Sequence, residues 1–397
     1  MNIVFLAPFG IRPKGTVIAR MLPLALELQQ LGHRVTIVAP PYTNPEDSGK
    51  EEVVGGVLLR NVTLGPRNKA MAALVLSWRL FRAVLDEHPD LVHLFKPKGY
   101  AGLAAMLLLV LRRLGFRLPP VMLDTDDWEG DGGMNDLLGY SPVEKRVFAF
   151  QETWLLRNAC AVTVASRGLE AKAREAGVSR EHLLYLPNCV ATAPGGAGAA
   201  VRERLGIGLA APVVLLYTRF FEFEQGMLHR VFGEIWHQVP SVRFLVVGKG
   251  RRGEENELLD AARSIGFAEA LVMAGWVEPG ELPGYLAAGD VAIYPFADTL
   301  VNRCKCPAKL TELLMAEVAV VGSRVGQVTE YVKDGVSGIL CDPGDWQAMV
   351  VRTVGLLRDR ERRQMMGRTG RQYLLSHFSW HDHAGQLDRF YRENVKR

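Results

Sequence analysis

Short apolar runs of strand length alternate with stretches of helical spacing along almost the whole chain, and the alternation breaks once and restarts. The first series is NIVFLAP (2–8), RVTIVAP (34–40), LVHLF (91–95), PVMLD (120–124), AVTVA (161–165) and LLYLP (183–187). Within it, EEVVGGVLLRNVTL (51–64) reads as a hairpin around Gly55-Gly56. The second series is VVLLY (213–217), VRFLVVG (242–248), ALVMAG (270–275), VAIYPF (291–296), VAVVG (318–322) and GILC (338–341). Runs that are apolar at every position suit strands covered on both faces, as in parallel sheets with helices on each side. The Ala- and Gly-rich stretch 191–211, with ATAPGGAGAA in it, reads as an exposed connection. The chain is therefore expected to be α/β, with two doubly wound, Rossmann-like domains facing each other across a cleft. The expected division is 1–190, a linker 191–211, and 212–378, with a last helix 379–397 returning to the first domain. A length of 397 residues fits two domains, and the carboxyl ends of the strands are where ligands of such sheets bind.

Charge and composition remove several classes. Lys plus Arg is 47 and Asp plus Glu is 43, so the net charge of +4 gives no basic stripe for nucleic acid. Apolar residues at 48% and charged residues at 23% exclude a disordered chain. Five cysteines are scattered without a CxxC pair, which argues against disulfides or structural zinc and for a reducing compartment. The opening MNIVFLAPFG has no basic segment leading into an apolar one and a cleavage site, so a cytoplasmic protein is expected. The longest apolar run, 103–111, is closed by Arg112 and Arg113 and is too short to span a bilayer. It reads as a helix buried against the sheet, the alternative being a helix on a membrane surface. RNKAMAALVLSWRLFRAV (67–84) offers the same two readings: a sheet cover with Arg and Lys stems lying along it, or an interfacial helix. The sheet-covering reading is preferred for both segments, and any contact with the inner face of a membrane is expected to run through the first domain.

Candidate chemistry sits at strand ends. PFGIRPKGT (8–16) follows the first strand, and its Gly10 and Gly15 permit close approach of a ligand to the backbone and to a helix N-terminus. The spacing is not G-x-G-x-x-G, so a dinucleotide fingerprint is absent and an ordinary strand-to-helix turn is the alternative. Arg219 stands just past VVLLYT, placed to grip a phosphate. In 294–341 a strand ends at Pro295, a polar loop carries Asp298, Asn302, Cys304 and Lys305, and a helix starts near Pro307 with Glu312 inside it. The loop and helix start form an anion site to which Lys305 adds a charge.

These segments together resemble the retaining glycosyltransferases of family 4, which have the GT-B fold. KGTVIARMLPLALELQQLGHRVTIVAP is similar to the family's first loop, helix and second strand, and YLPN (185–188) to the segment before its interdomain linker. DVAIYP with KLTELLMAEVAVVGSRVGQVTEYVKDGVSGIL is similar to its nucleotide-sugar segment, and FSW (378–380) to the start of its final helix. The resemblance implies transfer of a sugar from a nucleotide-diphosphate sugar, a UDP-sugar by preference, to a hydroxyl of a glycan, lipid-linked or small-molecule acceptor. It implies no cofactor and no metal. Arg219 then holds the diphosphate, Glu312 binds the ribose, Gly10 and Gly15 line the donor from the first domain, and Gly326 and Val328 lie in the loop over it.

Several positions depart from the family pattern. The first glutamate of E-x7-E falls on Cys304, and the lysine of Arg-x4-Lys falls on Glu224. Lys305 is the expected replacement for that charge. The first-domain histidine is missing, and DTDDWEGDGG (124–133) fills its place, so Asp126 or Asp127 is expected to contact the sugar or acceptor. Trp128 is placed to stack on a sugar face, and Lys96 and Lys98 of HLFKPKG (93–99) to attract an anionic acceptor or lipid headgroup. A metal site at Asp126 and Asp127, or a plain solvated loop, are the alternatives. The departures keep two other functions in view: a non-catalytic nucleotide-sugar-binding GT-B protein, and a nucleotide-sugar epimerase of the same fold.

Overall fold

The computed structural model describes residues 1–12, 15–66, 68–192 and 195–395, and of Lys69 the backbone alone. Pro13 and Lys14 of the first loop, Arg67 and the Lys69 side chain, Ala193 and Pro194 of the expected linker, and Lys396 and Arg397 lie outside the described residues. The chain divides into two compact units. The first is Met1–Cys189 with Cys304–Cys306 and Trp380–Arg397; the second is Val190–Arg303 with Pro307–Ser379.

In the first unit the order is β1 (Asn2–Leu6), α1 (Leu22–Gln30), β2 (Arg34–Ala39), β3 (Glu51–Val54), β4 (Val57–Asn61), α2 (Lys69–Asp86) and β5 (Leu91–Phe95). Then come α3 (Gly99–Arg113), β6 (Val121–Thr125), α4 (Pro142–Asn158), β7 (Val162–Val164), α5 (Arg167–Glu175) and β8 (Leu183–Tyr185). The eight strands lie in the order β3-β4-β2-β1-β5-β6-β7-β8. All neighbours are parallel except the β3–β4 hairpin, whose turn residues Gly55 and Gly56 both have positive φ, as a two-residue hairpin turn requires. The register sets Ile3 beside both Val35 and Leu91. Ile3 and Phe5 pack with Leu24 and Leu28 of α1, and with Leu387 and Tyr391 of the chain's last helix, into one side of the core.

In the second unit the order is α6 (Gly198–Arg204), β9 (Val213–Tyr217), α7 (Gln225–Gln238), β10 (Arg243–Val247), α8 (Glu254–Ile265), β11 (Leu271–Gly275) and α9 (Leu282–Ala287). It continues with β12 (Val291–Tyr294), α10 (Leu300–Cys304), α11 (Ala308–Met315), β13 (Ala319–Ser323), α12 (Val328–Tyr331), β14 (Ile339–Cys341), α13 (Trp346–Arg358) and α14 (Arg360–His377). The last helix, α15 (Trp380–Val395), belongs to the first unit. The six strands of the second sheet run β11-β10-β9-β12-β13-β14, all parallel. Phe232 stacks on Phe244 within its core, and Phe267 meets both rings edge-on.

Three segments differ from the sequence expectation. The stretch 191–211 is not a bare connection: it contains α6, which packs on α9. A side chain at Gly196 or Gly198 would lie 2.0 Å from the Pro283 carbonyl oxygen or 2.2 Å from that of Ala287, so the glycines there serve a close backbone approach. The polar loop expected before Pro307 folds as α10, with Arg303 clamped on Asp298 at 2.5 and 2.6 Å. Finally, Cys304–Cys306, expected in the second domain, joins the first unit. Ser166 Oγ donates to the Cys304 carbonyl at 2.7 Å, and Asn188 Nδ2 donates to the Cys306 carbonyl at 2.8 Å.

Both sheets reverse strand order once. In the first, β2 lies on one side of β1 and β5 on the other; in the second, β10 and β12 flank β9 in the same way. The carboxyl ends at such a reversal leave a crevice that the connecting helices do not fill.

Candidate active site

In the second unit the crevice lies past Tyr217 and Tyr294. Arg219 follows β9, and its guanidinium stands 5.0 Å over the Phe221 ring, while that of Arg251 lies 4.3 Å over the same ring. Glu222, buried at the same turn, approaches Arg219 at 3.8 Å. The intervening Phe220 is fully buried with φ of +67°, a conformation that costs a non-glycine residue about 1–3 kcal/mol. The Thr218 hydroxyl accepts its amide at 2.8 Å and helps to hold that turn. Strain of this kind is characteristic of sites that must present a side chain in one direction.

Helix α11 brings two more groups to the place. Lys309 and Glu312 are three residues apart and so share a helix face. The Lys309 ammonium sits 3.6 Å from the centroid of the Tyr217 ring. Glu312 hydrogen-bonds the Tyr217 hydroxyl, whose pKa is pushed up, first by burial and then by the Glu312 charge. Tyr217, Thr218, Glu222, Tyr294, Pro295 and Lys309 line one small cleft. Sequence reasoning named Arg219 and Glu312 but not Lys309. The signal was the K-L-T-E spacing within the very segment that carries the family resemblance.

Gly326 and Val328 border α10 and α12. At Gly326, φ is +49° and a Cβ would lie 2.8 Å from the Arg303 backbone, so this loop is pinned against α10. Val328 is buried, and its amide already donates to the Val325 carbonyl at 3.2 Å.

In the first unit the crevice lies past β1 and β5. Gly10 is buried, where a Cβ would meet Asn44 Oδ1 at 2.0 Å; Gly15 is exposed, and a Cβ there would meet no described atom within 4 Å. Because Phe95 pairs with Asp124, the turn after β5 faces the turn after β6. The expected acceptor-side lysines and the acidic run therefore meet. Lys96 Nζ lies 2.6 Å from Asp127, 3.0 Å from Asp126 and 3.6 Å from Glu129; Lys98 Nζ lies 2.8 Å from Glu129 and 3.0 Å from Asn135. Both lysines are buried rather than presented to solvent. Lys96 holds φ of +60°, a second strained turn. Burial opposes its charge, but Asp126 and Asp127 outweigh that and raise its pKa. Burial lifts the Asp126 carboxyl to about 6 against the pull of Lys96. The Thr16 hydroxyl donates to Asp126 at 3.3 Å. Trp128 is fixed within its own loop: its Nε1 donates to the Asp131 carbonyl at 3.0 Å, and Lys172 stands 5.7 Å over its ring. Among the described residues no group of three His, Cys, Asp or Glu is arranged to hold a metal.

Beneath this cluster lies a buried pair that sequence reasoning missed. Arg20 donates to both Asp124 oxygens at 2.8 and 2.6 Å, and to the Leu186 carbonyl and Asn188 at 2.6 and 3.1 Å. Thr163 donates to Asp124 at 2.5 Å. His93, inside β5, contacts Tyr391 at 2.6 Å and Thr163 at 3.3 Å, and burial lowers its pKa to about 4. Lys305 is buried in the segment held by Ser166 and Asn188, in the first unit, whereas Arg219, Lys309 and Glu312 belong to the second. Burial raises the neighbouring Cys304 thiol to about 12, so it is no thiolate.

Residues 15–189 match the family described as "Glycosyl transferase 4-like domain", and residues 211–359 match "Glycosyl transferases group 1". A GDP-mannose-dependent alpha-(1-6)-phosphatidylinositol monomannoside mannosyltransferase of Mycolicibacterium smegmatis is 26% identical over 362 residues, 89% of each chain. Among solved structures, sucrose-phosphate synthase from Thermosynechococcus elongatus superposes with a TM-score of 0.76 at 18% identity, over 99% of this chain and 98% of that one. Anabaena HepE in complex with UDP gives 0.72 at 18% identity, over 99% and 100%. The folds agree with two parallel-sheet units in the GT-B manner. With both halves matched in order along the chain, the protein belongs to the glycosyltransferase family 4-like enzymes.

Proposed function

We propose that this glycosyltransferase is a retaining, metal-independent enzyme that moves a sugar from a nucleoside-diphosphate sugar to an acceptor hydroxyl. The observation that carries the reading is the convergence of Arg219, Lys309 and Glu312 at the β9–β12 reversal. Arg219 grips the diphosphate with its fork of donors. Lys309 supplies the second positive charge, in place of the lysine that the family keeps five residues after Arg219 and that is Glu224 here. Lys305, expected for that task from the sequence, is the residue against which Lys309 is to be compared. Glu312 accepts from the donor ribose. As the bond from C1 to the phosphate oxygen breaks, its electron pair stays on the diphosphate, where two fixed cations stabilise it without a metal. The acceptor oxygen bonds C1 on the face being vacated, and its proton passes to the departing phosphate. The lysine-bound carboxylates Asp126 and Asp127 stand on the acceptor side as acceptors for sugar hydroxyls.

The donor is proposed to be a UDP-sugar, with GDP-mannose as its competitor, because the Mycolicibacterium relative is named for that donor. The same name, with its phosphatidylinositol monomannoside, supports a lipid-linked acceptor; the enzyme is proposed to be cytoplasmic and to work at a membrane face. No described helix is long and apolar enough to cross a membrane. The test is a donor panel incubated with EDTA, with products read by proton NMR. Product with the donor's anomeric configuration, formed without divalent metal, supports the reading. Inversion, or turnover restored only by Mg²⁺ or Mn²⁺, contradicts it, and donor altered without acceptor indicates an epimerase.

A further inference from the structure

The α2–α3–α4 layer of the first unit is apolar on two sides. Helix α2 buries Leu76, Leu80, Phe81 and Val84 against the unit. It also turns Met71, Leu74 and Trp78 outward, 56%, 74% and 52% exposed. That spacing of i, i+3 and i+7 makes a second stripe on the solvent face, where a helix that only covers a sheet carries polar residues. The Trp78 ring stacks on Phe81 at 5.3 Å, so the outward indole is held in place. Helix α4 repeats the arrangement with Val143 and Phe150, 68% and 57% exposed, at i and i+7. Between them α3 ends in exposed Leu114. Single exposed apolar residues need no explanation, but rows of them on adjacent helices mark an interaction surface.

The charges name the partner. No Asp or Glu occurs in 61–85 or in 91–123. The acidic residues of the three helices are otherwise engaged: Asp86 pairs with Arg60, Glu144 holds Ser141 at the start of its own helix, and Glu152 is buried. Arg82, Arg117 and Arg146 are exposed, with no ion-pair partner among the described residues. A second copy meeting this face through a two-fold axis would bring together two faces of the same positive sign. An anionic lipid surface satisfies both features, accepting the apolar rows at the headgroup–acyl boundary and pairing its phosphates with the arginines.

We propose that the α2–α3–α4 layer is a docking surface for anionic membrane lipid. The proposal does not depend on the identity of donor or acceptor. It is tested by floating the full-length protein with vesicles of phosphatidylcholine, with and without phosphatidylglycerol. The protein is expected to float with the anionic vesicles and to be released by salt. Arg82→Gln and Arg146→Gln should each weaken binding about fivefold, the worth of one basic side chain near an anionic surface. The double variant Leu74→Ser/Trp78→Ser should weaken it by more than about tenfold, since it removes two large apolar side chains from the acyl boundary. Nucleotide affinity, measured on the same preparations, should not change, which separates this surface from the donor site and checks folding. Absence of binding to anionic vesicles overturns the proposal, as does binding indifferent to the Leu74/Trp78 change. Concentration-dependent dimers abolished by that change also overturn it, because a second copy would then cover the face.

Discussion

The Lys309 ammonium lies 3.6 Å from the centre of the Tyr217 ring, the last residue of β9 and two before Arg219. A cation over an aromatic face gains roughly 0.5–2 kcal/mol, more as water is excluded. The ring thus holds a positive charge beside the turn that carries Arg219, while Glu312 on the same helix face holds the Tyr217 hydroxyl.

Glu312→Ala is expected to weaken donor and free-nucleotide binding by about 1.5–3 kcal/mol, the scale of hydrogen bonds to a charged group. Titration calorimetry with the nucleoside diphosphate measures it. Unchanged affinity in a folded variant would remove the ribose role.

Arg20→Met should cost about 3–5 kcal/mol of stability, because it strands the Asp124 carboxylate in the core. Changing both residues, Arg20→Met with Asp124→Leu, should recover most of that loss. Urea unfolding of the two variants decides. A single variant as stable as the parent would contradict the reading of this pair as a locked structural element.

Stability should fall between pH 6.5 and 4 through His93. Its folded pKa is lowered to about 4, so the unfolded chain takes up a proton that the buried imidazole refuses. The stability is fully present above pH 6.5 and is lost as the pH drops, by about 3 kcal/mol at most. The slope of melting temperature against pH should be shallower in His93→Gln than in the parent. Identical slopes would show that His93 does not titrate in this window.

Much of the fold could be read from the sequence because its strands are buried on both faces. LVHLF and VVLLY are apolar enough to mark β5 and β9 to the residue. Short helices were harder. The segment of α10 looks polar because Asp298 and Arg303 satisfy each other across its ends, and α6 is hidden in Ala and Gly that pack by backbone contact. The site was half legible. Arg219 and Glu312 follow from strand ends and resemblance. The pairing of Lys96 with Asp126 and Asp127 does not, since the partners are some thirty residues apart and meet only through the β5–β6 register. Arg20 looked like one polar position in a helix, and nothing local to it reveals Asp124.

The central claim is that the charge missing after Arg219 is supplied by Lys309, and the most direct measurement is kcat of Lys309→Met beside Lys305→Met. Both changes keep side-chain length and remove one charge. A leaving diphosphate gains charge in the transition state, so the loss should fall on kcat more than on donor binding. Lys309→Met is expected to lower kcat on the order of 10²-fold, as for one oxyanion donor, with Lys305→Met well above it. Near-parental kcat in a folded Lys309→Met protein, or a loss confined to Lys305→Met, would contradict the assignment.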